Sequence, residues 1–365
     1  MKKILYISLS MLLIAAVVLA GCAPVEEVVE EAEAPAEEVV EEVEAPAEET
    51  VEELMETDKL VIYSPNSEGL LNATVPVFEE MYDVDVEVIS AGTGECITRL
   101  QGEKNNPYAD ILYGGNFPTF KMNEDLFQDY ISPNEVNVID TYKNTTGFAT
   151  NYVLDGSVLL INKSLIGDIE IKGYKDLLNP ALKGKIVSAN PTESSSAFAQ
   201  LSNMLTALGK GDYESEEAWD FVGDLFANTV VIDSSSAVWK GVRDGEYTVG
   251  LSYEDPSVTL VRDGADVKVV YMEEGVVFRP APTAIVKDCK NLLNAQRFID
   301  LIISKEVQTA FGTQLTNRPV MADVETPDYM TPFSEINVLT EDEMYIYEHK
   351  TDMQERWKEM FESLP

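Results

Sequence analysis

From residue 59 on, two hydrophobic rhythms alternate along the chain. Short β-branched runs of period two are separated by stretches whose apolar residues recur every three or four positions, the pattern of strands joined by helices. Leu60, Val61, Ile62 and Tyr63 make the first run, and Ser64-Pro65-Asn66-Ser67 turns into a helix ending near 81. Val84, Val86, Val88 and Ile89 make the second, which stops at Ala91-Gly92-Thr93-Gly94. A helix over 94–104 follows, with Cys96, Ile97 and Leu100 on one side. Asn105-Asn106-Pro107 ends it, because proline has no N–H and restricts the residue before it. A strand over 109–113 then runs into Gly114-Gly115. Such strand–loop–helix–strand units build parallel sheets with ligand loops beyond the carboxyl ends of the strands.

The same grammar repeats downstream. The pattern predicts a helix over 117–130 and a strand over 153–162 that leaves the first group of elements. A strand over 186–189 leads through Asn190 to Ser196 into a helix over 197–209. A strand over 230–233 leads through Ser234-Ser235-Ser236 into a helix over 237–243, and a strand over 248–251 ends at Ser252-Tyr253-Glu254-Asp255-Pro256. A short strand over 267–271, a returning strand over 277–286, a helix pair over 291–315 and a helix over 341–364 complete the body. At 365 residues the chain exceeds one ordinary core, so two lobes are expected. The expected fold is α/β, with mixed sheets flanked by helices. The first lobe is discontinuous, 59–153 plus 277–365, and 154–276 is the second. Two crossing strands form the hinge, and a ligand cleft lies between lobes.

The start of the chain has a different composition. Residues 1–21 combine Lys2 and Lys3 with a short apolar run and end in Leu19-Ala20-Gly21 before Cys22, a targeting pattern. Residues 22–58 are low in complexity and carry an eleven-residue acidic repeat broken by Pro35 and Pro46, which reads as a solvated tether. Fifteen glutamates and no lysine or arginine fall between 26 and 56. Setting these and Lys2 and Lys3 aside leaves 50 acidic against 24 basic residues, a net charge of −26 on the body. Such a body repels nucleic acid and anionic lipid. The single histidine, His349, sits in a polar helical stretch, so neither a histidine-dependent catalytic arrangement nor a histidine-rich metal site is expected. Cys96 and Cys289 are read as free thiols, with a disulfide between them as the alternative outside the cytoplasm.

Candidate ligand groups cluster at strand ends. Ser194, Ser195 and Ser196, and again Ser235 and Ser236, precede or open helices, where free backbone N–H groups and the positive helix end favour an anion. One serine of each triplet is accounted for by capping alone. Ser252, Tyr253 and Glu254 end a third strand of the same half. Asn66, Ser67, Thr93, Gly94 and Gly115 supply the facing edge, although capping explains Ser67. Trp239 reads as core.

The phrases IYSPNSEGL, ISAGTGECITRLQGEKNNPYADILYGGN, SANPTESSSAF and VIDSSSAVWKGVRDGEYTVGLSYEDPSV resemble those of family 1 extracellular solute-binding proteins of ABC importers. The resemblance runs from about Lys59 to the C-terminal helices. It is nearest to the ferric-iron, hexose-phosphate, phosphonate and thiamine branch. It implies a type II-like periplasmic-binding-protein architecture and capture of a small solute without catalysis, metal cofactor or other cofactor. It further implies delivery to permease subunits by a monomer. Residues 1–22 resemble a bacterial lipoprotein signal, which implies a lipid on Cys22 and a place on the outer face of the cytoplasmic membrane. Ferric members carry adjacent tyrosines where Tyr253-Glu254 stands here, and a histidine where Asn66 stands. The retained hydroxyls at Ser195, Ser196, Ser235 and Ser252 point instead to a phosphorylated or phosphonate anion. Ferric iron and thiamine remain the alternatives within the branch. A surface hydrolase is the alternative outside it, although no nucleophile-elbow motif supports one.

Overall fold

A computed structural model of the chain describes residues 57–364. The targeting segment, Cys22 and the acidic repeat lie outside these residues. The first elements are β1 (Lys59–Ser64), α1 (Glu68–Tyr82), β2 (Asp85–Ser90), α2 (Thr93–Glu103), β3 (Ile111–Tyr113) and α3 (Phe117–Met122). Next come β4 (Phe127–Gln128), β5 (Thr150–Asn162), β6 (Ile186–Ala189), α4 (Ser195–Leu208), α5 (Glu216–Phe226), β7 (Thr229–Ile232) and α6 (Ser235–Arg243). They are followed by β8 (Val249–Tyr253), α7 (Glu254–Arg262), β9 (Val267–Val270), β10 (Val276–Val286), α8 (Leu292–Ile302) and α9 (Lys305–Thr313). The chain closes with β11 (Arg318–Pro319), β12 (Val338–Leu339), α10 (Glu343–Glu348) and α11 (Lys350–Glu362).

One path of strands, β2-β1-β3-β10-β5-β8-β6-β7, runs through the body. The β1–β2 and β1–β3 pairs are parallel, as are β6–β7 and β6–β8. Between these two parallel groups stand the two long strands, β5 and β10, antiparallel to each other. β10 is also antiparallel to β3, and β5 to β8. β3 and β8 therefore run head to head, and the carboxyl ends of the two groups point at each other. Tyr113 lies opposite Thr283 and Thr283 opposite Thr150, while Ser157 lies opposite Tyr253. Seven residue steps of β5 thus separate the two edges, about 23 Å at 3.3 Å per residue. That span suits a small solute once the loops of both edges project into it.

Within the crossing stretch, Tyr152, Val153 and Leu154 are all buried, and Asp155 is the exposed residue that follows them. On β10 the register shifts between Ala281 and Pro282, next to Pro280. Gly156 has Phe278 as its cross-strand neighbour, and a Cβ at 156 would stand 2.5 Å from the Phe278 ring.

Four stretches depart from the sequence expectation. The helix expected over 117–130 stops at Met122, because Phe127 joins the sheet edge opposite Val286 and stacks between Phe120 and Phe148. Helices α5 and α7 were not expected. The helix expected over 341–364 breaks into α10 and α11 at His349, whose ring stacks on Tyr345 with centroids 4.0 Å apart.

The C-terminal segment, grouped with the first lobe in the sequence reading, packs against elements of 154–276 as well as against α3. The Trp357 and Phe226 rings meet edge to face at 5.3 Å, Arg356 binds Glu216 at 2.9 Å, and Gln354 Nε2 donates to the Pro191 carbonyl at 2.7 Å. On its other side α10 touches α3. Before it, Glu341 holds the Arg279 guanidinium at 2.6 and 2.7 Å, and Arg279 also donates to Ser202 Oγ at 2.8 Å.

Two outcomes follow from this packing. Gly156→Ala drives a methyl into the Phe278 ring and should cost about 1–3 kcal/mol of stability, read as a lower denaturant midpoint. An unchanged midpoint would show that the ring swings aside freely. Glu343 has no ion-pair partner among the described residues, and burial, then the neighbouring Glu341 carboxylate, push its pKa up to about 7 from 4.5. A carboxyl with a raised folded pKa takes up protons on folding, so its share of stability is lost as pH rises from 4.5 through 7. Glu343→Gln should raise the thermal midpoint by about 2 °C or more at pH 8 and leave it unchanged at pH 4. A shift of equal size at both pH values would count against titration of Glu343.

Candidate functional site

The facing edges bring together most of the residues singled out by sequence. On the first edge, Gly92 precedes α2 and Thr93 opens it, half-buried, with Gly94 exposed beside it. Gly115 has a φ of +132°, and a Cβ there would press to 3.0 Å against the Thr93 methyl, so glycine lets the β3 loop lie against the start of α2. Gly114, at φ +108°, does the same for Asn66, whose Oδ1 would stand 2.5 Å from a Cβ. Asn66 Oδ1 accepts from the Tyr152 hydroxyl at 2.8 Å. Its Nδ2 is buried without a hydrogen-bond partner, an unspent donor at the edge. Ser67 is the N-cap residue of α1 by position, but its side chain makes no cap bond and is exposed.

On the second edge, β6, β7 and β8 end side by side. Ser194 caps α4, its Oγ accepting from the Ala197 N–H at 3.3 Å and lying 3.1 Å from Ser196 Oγ. Capping is therefore Ser194's structural task, and Ser195, exposed in the first turn, is left open. α6 repeats the motif: Ser234 is its N-cap residue and pairs with Ser236 Oγ at 3.0 Å, but makes no side-chain cap bond. Ser235 stands in the first turn, half-buried. Tyr253 ends β8 and is half-buried beside Trp239, whose indole N–H is buried without a hydrogen-bond partner. Burial, then the Asp155 and Asp255 carboxylates, raise the Tyr253 phenol, which is protonated at neutral pH.

Two of the sequence-selected residues turn inward. Ser252 is buried and its Oγ accepts from Ser257 at 3.0 Å, while its carbonyl is held by Gln200 Nε2 at 2.5 Å. Glu254 is 1 % exposed and grips Arg318, itself 2 % exposed, with three contacts of 2.5–3.0 Å. The Tyr271 hydroxyl donates to the same carboxylate at 2.5 Å. That carboxylate is consumed by the fold and is turned away from the span between the edges. Its neighbour Asp255 accepts from Thr316 Oγ1 at 2.6 Å.

Sequence reasoning missed Asp155. It lies on the crossing stretch of β5, past the carboxyl end of β8, and its side chain is exposed. Burial, then the Asp255 and Glu254 carboxylates, raise its pKa to about 8, and the Asp255 backbone N–H and the Arg279 charge offset part of that shift. A signal was present, since Asp155-Gly156 interrupts an otherwise apolar strand. Trp239, read as core, is half-buried and packs against the hydrophobic cluster of Leu160, Val187 and Val238. Cys96 and Cys289 are both free thiols, and burial pushes the Cys289 thiol up to about 12.

Among the described residues no group of three or more His, Cys, Asp or Glu side chains is arranged to hold a metal ion, and no helix is long and apolar enough to cross a membrane.

A family model described as bacterial extracellular solute-binding protein matches residues 73–333. An uncharacterised protein of Haemophilus influenzae is 27% identical over 288 residues, covering 75% of this chain and 81% of that one. The periplasmic binding protein AfuA of Actinobacillus pleuropneumoniae, solved with fructose-6-phosphate bound, superposes with a TM-score of 0.66 at 22% identity. That match covers 84% of this chain and 100% of the other. Iron-bound HitA of Pseudomonas aeruginosa superposes with a TM-score of 0.67 at 20% identity, covering 83% and 99%. These likenesses show an α/β fold shared with two-lobe periplasmic binding proteins. With the family match spanning most of the body and this fold behind it, the chain belongs to the bacterial extracellular solute-binding proteins.

Proposed function

We propose that this solute-binding protein captures a small phosphorylated or phosphonate organic anion between its lobes and delivers it to the permease of an ABC importer. The observation that carries this reading is the convergence of helix starts on one span. Thr93 opens α2 from one edge, and Ser195 and Ser235 open α4 and α6 from the other. Each first turn offers backbone N–H groups with no partner inside its helix, and each adds a hydroxyl. The unspent donor Asn66 Nδ2 adds to the same polarity. The long-range field of an acidic body opposes an anion, but salt screens it beyond about 8 Å. Short hydrogen bonds then decide. The lobes divide as 59–153 plus 277 onward against 154–276, with β5 and β10 as hinge, and the C-terminal helices ride on the second lobe.

Ferric iron is disfavoured by the same geometry. The position of a second tyrosine is Glu254, held inside by Arg318, and Tyr253 alone is a protonated phenol.

A thermal-shift screen should find sugar phosphates or alkylphosphonates stabilising and ferric citrate without effect. Charge-assisted hydrogen bonds contribute about 1.5–3 kcal/mol each, so Ser195→Ala and Ser235→Ala should each weaken binding tenfold or more in calorimetric titration. Tight ferric binding with a phenolate-to-metal colour, and silence toward every phosphorylated solute, would replace this reading with the iron one.

The anchor is proposed at Cys22, which follows Leu-Ala-Gly after the apolar run. Cys22→Ala should move the protein from the membrane fraction to the soluble one on fractionation. Persistence in the membrane would rule the lipid anchor out.

A further inference from the structure

The crossing stretches of β5 and β10 carry one acidic and one basic side chain, Asp155 and Arg279, directly opposite each other. They do not pair. Arg279 is drawn away by both oxygens of Glu341 and by Ser202. Asp155 is left exposed between the two edges, with no Lys, Arg or His at ion-pair distance among the described residues. The Asp255 and Glu254 carboxylates act on it more strongly than the Arg279 guanidinium, which Glu341 holds, and the Arg318 guanidinium is engaged by Glu254. Among the described residues the protein therefore gives Asp155 no ion-pair partner, only the partial influence of Arg279. A carboxylate held in a crowded, partly dehydrated place beside two others and without an ion-pair partner is costly, and its raised pKa reflects that. A purely anionic solute at the serine-lined helix starts would increase that cost.

We infer that the solute is zwitterionic, with a protonated amine or comparable cation that pairs with Asp155 while its phosphate or phosphonate end sits at the starts of α2, α4 and α6. This rests on the anion reading above and narrows it. Asp155 then sets specificity: it rewards a cation at the hinge end of the cleft and penalises an otherwise identical solute without one. Because Asp155 stands on the strand that both lobes share, a cation there is positioned by the hinge itself and not by either lobe's loops.

Calorimetric titration of the full chain with 2-aminoethylphosphonate, 2-hydroxyethylphosphonate and ethylphosphonate separates the possibilities. The amine-bearing compound should bind at least tenfold more tightly than the other two. Asp155→Asn should bring all three within about threefold of one another, with ethylphosphonate binding as well as before or better. Retained ethylphosphonate binding also certifies that the variant is folded. The comparison in the unchanged chain decides the matter even if that variant does not fold. Equal binding of all three, or a preference for the hydroxyl compound, overturns the role given to Asp155 and leaves the anion reading standing. Binding of none of the three overturns both.

Discussion

The structure depends on the direction of one strand. β5 runs parallel to β3 through their shared neighbour β10, yet antiparallel to β8. Two parallel sheets joined in this way cannot present their carboxyl ends to opposite sides of the molecule. They present them to the same seven-residue window, and every helix start that follows those strands points into it. Free N–H groups, positive helix ends and hydroxyl side chains gather there as a consequence of topology, before any choice of ligand. The identity of the residues in the window then tunes what the topology provides.

That division explains what could be read from the sequence. The strand–loop–helix units were legible because each is local: β-branched runs, glycine or serine loops, then helical periodicity. Ser195, Ser235 and Thr93 were found for the same reason, since a helix start is written in a few consecutive residues. The fate of Glu254 was not legible. Its partner Arg318 is 64 positions away, and nothing in Tyr253-Glu254-Asp255-Pro256 announces that the carboxylate turns inward. The end of α3 was misjudged because Phe127 answers to Phe120, Phe148 and Val286, a tertiary preference that overrides helical continuity. Asp155 was visible as a charge in an apolar strand, but its meaning required the register that places it past the end of β8.

The Glu254–Arg318 pair also shows how one substitution can serve fold and specificity together. Two charges taken out of water cost several kcal/mol each, and only near-ideal contacts offset that. Here the contacts are bidentate, the Tyr271 hydroxyl donates to the carboxylate, and the Thr331 carbonyl accepts from the guanidinium at 2.8 Å. The pair ties the first turn of α7 to β11, and β11 to the crossing strand β5. A residue at the mouth of the cleft has become part of its foundation. The same position can no longer offer a side chain to the solute.

The C-terminal helices touch both sides of the hinge, α10 against α3 and α11 against α5. Parting the two edges therefore means peeling α10 from α3 or shifting it along with the first lobe. Such a strap acts on the resting equilibrium between open and closed forms. A solute that binds only the closed form has its apparent affinity reduced in proportion to how rarely that form occurs. A contact that holds two edges together before any solute arrives lowers that penalty, and the same contact must give way before a solute can leave.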